Sequence, residues 1–436
     1  MIPRYSMPEM ATLFTDEARM SAWLEVELAA VDGWASVGVV PTEVAERVRS
    51  RSPKVDAQFV DDVNAREAIT DHDLAAFVDV VQAAIGQPEG SWLHYGLTSS
   101  DVVDTALCSI LVDAADLLID ASSGLIAVLK RRAVEEIGTP MVGRTHGMHA
   151  EPTTFGAKLA LWALQADRDR TRLIRARDGI AVGKLSGAVG TYSNIDPQVE
   201  EYVCNALGLR PVPATQVIAR DRHAEYLFAC ASVGATVEAI ATEIRHLART
   251  ELGEAEEKFR AGQKGSSSMP HKRNPVLSER LVGLARVLRG YVQPGLEDVA
   301  LWHERDISHS SVERVILPDA SLLAFYLLRR ATGLIDGLVV NADRMMENLR
   351  TGSLGLVFSQ SVLLALVSSG LDRDSAYRIV QRDARAASEQ RTHFREVLES
   401  DDEVKLDAAA LDEAFSLDRA LRYTSRFLDA LDSIEP

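Results

Sequence analysis

Between about residues 221 and 258 the chain runs without a proline, and Gly234 is its one mid-helix glycine. Tyr226, Cys230, Val233, Val237, Ile240, Ile244 and Leu247 recur along it at alternating steps of four and three. That heptad period lays one continuous apolar stripe along a single helix, which has to be covered by other long helices. Helical patterns also run over about 105–136, 153–181, 275–297 and 309–349, the last expected to kink before Pro318. The N-terminal hundred residues read as shorter helices broken by loops such as 86–91. After Gly370, short helices are expected at 373–389, 393–399 and 417–432, with Asp401–Lys405 as a surface loop. Strand signals are scarce, and no βαβ rhythm or nucleotide-binding glycine motif appears. The expectation is an all-α chain built on an extended bundle. Its three continuous segments are an N-terminal helical domain (1–110), a central long-helix domain (111–365) and a C-terminal helical domain (366–436).

Composition narrows the function. The formal net charge is −17 and the pI about 5.1, which argues against general nucleic-acid binding. An anionic substrate would therefore need a local basic island. No uninterrupted apolar run reaches the roughly 20 residues of a membrane span, and the N-terminal MIPRYSMPEMATLF lacks an apolar signal core. A cytoplasmic protein is expected. Cys108, Cys204 and Cys230 are widely spaced, two of them in apolar helical surroundings, and read as buried core thiols.

The segment Gly265–Pro275, GSSSMPHKRNP, fits none of the helices. Pro270 and Pro275 forbid a continuous helix, and the segment offers little apolar surface but many polar groups. Gly265 can act as a hinge, the hydroxyls can face a substrate, and Lys272 and Asn274 can hold an anion. Its plain reading is a polar surface loop. Its other reading is a mobile catalytic loop.

Histidines recur in similar polar segments at expected helix ends: His72 in TDHDL, His94 in HYGLTSSD, His146 and His149 in GRTHGMHAEPTT, His303 and His309 in HERDISHSS. Each alone is an ordinary capping or loop residue, whereas together they suggest convergence on a cleft. The spacing of His146 and His149 permits a metal pair, but Gly147 and Pro152 argue against a helix there and no further ligand set accompanies it, so no metal is expected. His246 reads as a solvated or interhelical histidine. Ser99 or Ser100 would cap a helix, and the same free N–H groups could bind a carboxylate or phosphate. Ser310, Ser311 and Arg314 enter a helix in an order suited to gripping an oxyanion.

The order GSS-x-MP-x-K-x-N resembles the signature of the fumarase/aspartase superfamily. RDISHSSVER and HYGLTSSD, with Arg4-Tyr5-Ser6, TDHDL, GRTHGMHAEPTTFG and the C-terminal GLVFSQSVLLAL and SAYRIVQRDA, resemble its adenylosuccinate lyase branch over essentially the whole chain. The signature loop alone is shared with argininosuccinate lyase and other members. The resemblance implies a three-domain all-helical protomer, a homotetramer whose sites draw on three subunits, a small-molecule nucleotide substrate and no cofactor. The implied reaction is β-elimination of fumarate from adenylosuccinate, and from the succinylated carboxamide ribotide of purine synthesis. Ser266 would be the general base, with a swap of roles with Ser267 left open, and His146 the general acid, supported by Glu279. Lys272 would stabilise the base and, with Asn274, hold the succinyl carboxylates near Thr98, Ser99 and Thr145. His72 and His94 would contact the phosphate or support the acid, and Gln216 would touch substrate. By the same resemblance Asp73, in TDHDL, belongs to the substrate site. Arg4, Tyr5, Arg305, Ser310 and Arg314 would hold the nucleotide, the last two on its phosphate.

Overall fold

The striped segment folds as one helix, Asp221–Leu247, and every residue of its seam is buried. Gly234 lies where it meets Leu288: a Cβ there would sit 3.0 Å from the leucine side chain. The helix is long and apolar enough to cross a membrane, but 61% of its apolar window is buried in the protein, as expected of a core helix. The structure, a computed structural model, describes residues 1–260 and 262–434. Its other long helices are Asp16–Ser36, Ser99–Glu136, Phe155–Ile180, Ser308–Asp336 and Arg373–Gln390, with Val276–Gly290 somewhat shorter, and the chain is all-α in class, as its sequence predicts.

Two compact units emerge. The first comprises Met1–Ser122, Asp169–Ala235 and Gly283–Arg329. The helix Asp16–Ser36 supplies its aromatic core, where Trp23 meets Phe77 edge-on and Phe77 meets Phe59. Gly33 on that helix lets Val199 of the helix Pro197–Ala206 approach closely. The second comprises Ser123–Arg168, Thr236–Val282 and the chain from Arg330 onward. Its C-terminal helices Ser359–Ser368, Arg373–Gln390 and Phe394–Glu399 enclose a cluster of Val362, Leu366, Ile379, Phe394 and Leu398.

Several boundaries differ from the sequence reading. The helix expected over 309–349 ends at Asp336. Val339–Val340 then pairs antiparallel with Ala255–Glu256 before a short helix, Ala342–Glu347. Pro318, the expected kink position, lies inside Ser308–Asp336. The segment 275–297 divides at Tyr291, and 417–432 is three short turns of helix. A helix at Ala408–Ala414, capped by Asp407, was not anticipated. Nor was the antiparallel hairpin of Pro140–Thr145 with Met148–Thr154, whose polar residues gave no alternating pattern. The three cysteines are buried and free. Burial pushes the Cys204 and Cys230 thiols up to about 12, which removes them from nucleophilic chemistry.

Candidate active site

In the first unit the polar segments come together at helix N-termini. The helix Asp73–Ile85 is capped by His72, whose Nδ1 accepts from Ala75 N–H at 3.3 Å. That leaves the proton on Nε2, which lies 3.3 Å from Ser99 Oγ. Both roles weighed for His72, cap and site residue, are compatible with this placement. The helix Ser99–Glu136 begins at Ser99, so the capping position is Thr98 rather than Ser99 or Ser100. The Asp101 carboxylate accepts from Thr98 N–H at 2.8 Å, in the manner of a capping box. Asp101 also accepts from Ser186 and Gly187 N–H and pairs with the fully buried Lys184 at 2.7 Å. Lys184 in turn donates to the main-chain oxygen of Gln216 at 2.8 Å. One buried carboxylate thus ties the loop before Ser99 to the loop bearing Gln216.

Asp73 is bound to Arg314. Burial alone would raise its carboxyl, but the Arg314 guanidinium brings it below the usual carboxylate range. Arg314 Nε also lies 3.5 Å from Ser310 Oγ. Arg305 donates from Nε to His309 Nε2 at 3.3 Å, and its Nη1 lies 3.5 Å from Gln216 Oε1. Tyr5 stacks edge-on against Tyr326, and Arg4 is exposed beside it in the chain.

Beneath Arg305 lies a buried ionic cluster that sequence reading did not find. Arg220 pairs with Asp104 at 2.6 Å and with Glu313 at 2.9 Å, while His223 and His309 present Nδ1 to Glu313 at 2.7 and 2.9 Å. Burial would raise the Glu313 carboxyl, but His223, His309 and Arg220 hold it far below its ordinary value. Arginine can only donate, so His309 Nε2 accepts from Arg305 and its Nδ1 proton goes to Glu313. The only available signal was a run of charged and histidine residues, which is also how a solvated helix face reads.

His94 is held by a partner equally hidden in the sequence. Glu27 accepts the His94 main-chain N–H at 2.8 Å and faces its Nδ1 at 2.6 Å. His94 adopts φ +62°, and Trp34 Nε1 braces the next residue by donating to Tyr95 O at 3.0 Å.

The second unit carries the remaining residues. Thr145 and His146 occupy the exposed tip of the hairpin, where His146 has φ +55° and Gly147 φ +79°. The hairpin is anchored by Arg144, which donates to both oxygens of the buried Glu254 at 2.9 and 2.7 Å. The loop expected to be catalytic has no regular structure between Gly265 and Asn274. Its neck is closed by Asn274 Nδ2, which donates to Gly265 O at 2.9 Å, and a Cβ on Gly265 would fall 2.2 Å from Lys272 O. Ser266 Oγ accepts from the main-chain N–H groups of Ser268 and Met269 at 3.3 and 3.1 Å. Ser267 is exposed and makes no hydrogen bond among the described residues. A cavity of about 720 Å³ is lined by His271, Lys272, Arg273, Asn274 and Glu279, facing Arg245, His246 and Arg249 from the end of the seam helix. Lys272, Arg273, Arg245 and Arg249 are basic and His271 and His246 can be protonated, so the cavity is locally basic in an acidic protein. Glu279 and His146 share no hydrogen bond among the described residues. No group of three metal-ligating side chains occurs among the described residues.

Residues 4–290 match a family described as Lyase, and residues 355–431 match the adenylosuccinate lyase C-terminus. An adenylosuccinate lyase of Bacillus subtilis is 49% identical over 93% of this chain and 93% of its own length. One from Thermotoga maritima is 46% identical over 99% and 100%. Among solved structures, a fumarate lyase from Mesorhizobium sp. BNC1 superposes with a TM-score of 0.89 at 28% identity, covering 99% of both chains. A 3-carboxy-cis,cis-muconate lactonizing enzyme from Pseudomonas putida gives 0.88 at 29%, covering 99% of this chain and 98% of its own.

Proposed function

The chain belongs to the adenylosuccinate lyase family, and on that footing we propose how its residues divide the release of fumarate from a succinylated nucleotide. The reaction cleaves the carbon–nitrogen bond of adenylosuccinate to leave AMP and fumarate, and acts likewise on succinylaminoimidazole carboxamide ribotide. A base removes a proton from the carbon beside a carboxylate. The electron pair left there forms the double bond, and the leaving nitrogen takes a proton from an acid.

The base is Ser266. A serine hydroxyl is too weak an acid to be deprotonated in water, so its alkoxide has to be stabilised by the protein. The observation that carries this reading is the pair of main-chain N–H groups, from Ser268 and Met269, that point at Ser266 Oγ. Lys272 adds positive charge on the same loop. A second reading exchanges the serines: Ser266 serves as the turn's cap and the unengaged Ser267 acts as base. It is favoured by the exposure of Ser267. Lys272 and the second amide proton of Asn274 hold the succinyl carboxylates. His146 protonates the leaving nitrogen, with Glu279 holding its ring. His72, His94, Thr98, Ser99, Thr145 and Gln216 line the substrate. Arg4, Tyr5, Asp73, Arg305, Ser310 and Arg314 form the nucleotide end, with Ser310 and Arg314 on phosphate.

The assembly we propose is a homotetramer with each site completed by three subunits. Val134, Leu161, Ile174, Phe228 and Val287 stand exposed on the long helices and need cover. The lack of a hydrogen bond between His146 and Glu279 among the described residues supports the same reading. Following the ultraviolet change of adenylosuccinate without added metal tests the mechanism: conversion is expected, abolished by Ser266→Ala and retained in Ser267→Ala. The reverse pattern would transfer the base to Ser267.

A further inference from the structure

Glu27 stands in the middle of the helix Asp16–Ser36, among Trp23, Leu24, Leu28 and Val31, with its side chain wholly buried. A carboxylate in such a place is costly unless a cation accompanies it. Among the described residues the one cation within ion-pair reach is the His94 imidazole at 2.6 Å. The buried Lys184 is committed to Asp101. Both oxygens of Glu27 serve His94, one taking its main-chain N–H and the other facing Nδ1. His94 is meanwhile kept in a left-handed conformation that a non-glycine residue adopts only where its surroundings impose it. Its Nε2 has no hydrogen-bond partner among the described residues. His94 opens the turn closed by Leu97 N–H, just before Thr98 and Ser99, where the helix Ser99–Glu136 begins.

We propose that Glu27 is a positioning residue for the substrate phosphate: it grips His94 at the main chain and at Nδ1, and so presents a charged imidazole whose Nε2–H donates to the phosphate. This rests on the reading of His94 as a phosphate contact. Glu27 touches no substrate and acts through the histidine. The titration of His94 agrees. Burial alone would lower it, but the hydrogen bond and charge of Glu27 and the more distant charge of Asp101 outweigh burial and raise it above the ordinary histidine value. The groups facing His94 are thus Glu27 from one helix and Asp101, tied to Lys184, from another.

A raised value means that the charge is present at low pH and is lost as pH climbs through it. KM for adenylosuccinate should therefore rise with pH through the folded-state value of His94. Glu27→Gln keeps the shape but removes the charge. It is expected to raise KM about tenfold or more, the loss typical of one charge-assisted hydrogen bond, while leaving kcat much less affected, and to move the pH-dependent rise in KM to lower pH. Glu27→Asp, shorter but still charged, should keep the wild-type pH profile, and serves as the readout if the glutamine variant fails to fold. In the unaltered enzyme the His94 ring signal in NMR, recognised by its loss in His94→Gln, should titrate above the ordinary histidine range.

The phosphate-free analogue succinyladenosine separates the possibilities. Its binding should be the same in Glu27→Gln as in the wild type. An equal loss for both compounds would overturn the proposal and leave the lyase reading intact. So would an unchanged KM and pH profile in Glu27→Gln, or a His94 ring titrating at or below the ordinary value. If His94→Gln itself left KM for adenylosuccinate unchanged, the phosphate reading of His94 would fall, and the proposal with it.

Discussion

Arg314 and Asp73 are bonded to one another although they lie 241 residues apart in the chain. The pair joins the first turn of the helix Asp73–Ile85 to the second turn of Ser308–Asp336. It holds Arg314 beside Ser310 before any nucleotide arrives. If Arg314 receives the phosphate as proposed, that phosphate meets an arginine already in place, so little ordering is left to do on binding. Replacing Arg314 by Ala should raise KM for adenylosuccinate about tenfold or more, the loss typical of a hydrogen bond to a charged group. Succinyladenosine should be handled as before. Steady-state kinetics with both compounds decides it, and an unchanged KM for the nucleotide removes Arg314 from the phosphate.

The same pair has a signature in acid. Arg314 depresses the folded-state value of Asp73 against burial, so the pair's contribution is present above the unfolded aspartate value of about 3.9 and is lost as pH falls through the folded one. The stability gap between the wild type and Asp73→Asn, measured by urea unfolding, should be open near about pH 6 and close as pH drops below about 4. A gap of constant size across that window would show that the ionised carboxylate is not its source.

Gly265→Ala places a methyl group against the carbonyl of Lys272. The loop neck then has to open, which displaces Ser266 and Lys272 together. A fall in kcat of about a hundredfold is expected for a misplacement near 1 Å, with the melting temperature nearly unchanged because the loop contributes little to the core. Calorimetry beside kinetics tests this, and a fully active variant would show that the tight neck has no catalytic purpose.

Ser266→Ala and His146→Ala should each be inactive, yet recover activity when the two proteins are unfolded and reassembled together. Recovery follows if the serine and histidine of one site come from different subunits, since a mixed tetramer then contains sites with both intact. A properly reassembled mixture with no activity would confine the site to one chain.

Arg220→Met leaves Asp104 and Glu313 buried without their cation, while His223 and His309 partly compensate for Glu313. Loss of about 3–5 kcal/mol is expected, as for other broken buried ion pairs, together with a higher KM because His309 no longer seats Arg305 firmly. Urea unfolding and kinetics on the same preparation would check both. A variant of wild-type stability would mean that the buried carboxylates take up protons at little cost.

The long helices were legible because one physical rule, burial of a periodic stripe, fixes both their existence and their inward face. Tyr226 to Leu247 is the clearest case. The hairpin at residues 140–154 was not legible, because its strands carry His, Arg, Glu, Thr and Pro and are set by the Arg144–Glu254 pair, whose members lie 110 residues apart. The end of a helix at Asp336 was missed for a similar reason: what stops it is the pairing of Val339–Val340 with a distant segment. Among candidate site residues, those with unusual local chemistry could be named in advance. Glu27, Glu313 and Arg220 could not, since the two glutamates sit inside ordinary helical patterns, Arg220 lies in the loop just before a helix, and each acquires its meaning only from what packs against it.

The hydrogen bonds that Ser266 Oγ receives come from peptide groups, and peptide groups are not encoded by side chains. Exchanging Ser268 or Met269 for most other residues would leave both donors in place, whereas proline at either position would delete one. The loop can therefore drift in composition next to Ser266, the proposed base, without weakening the field around it, and a mutational scan should find these two positions permissive to everything but an imino acid.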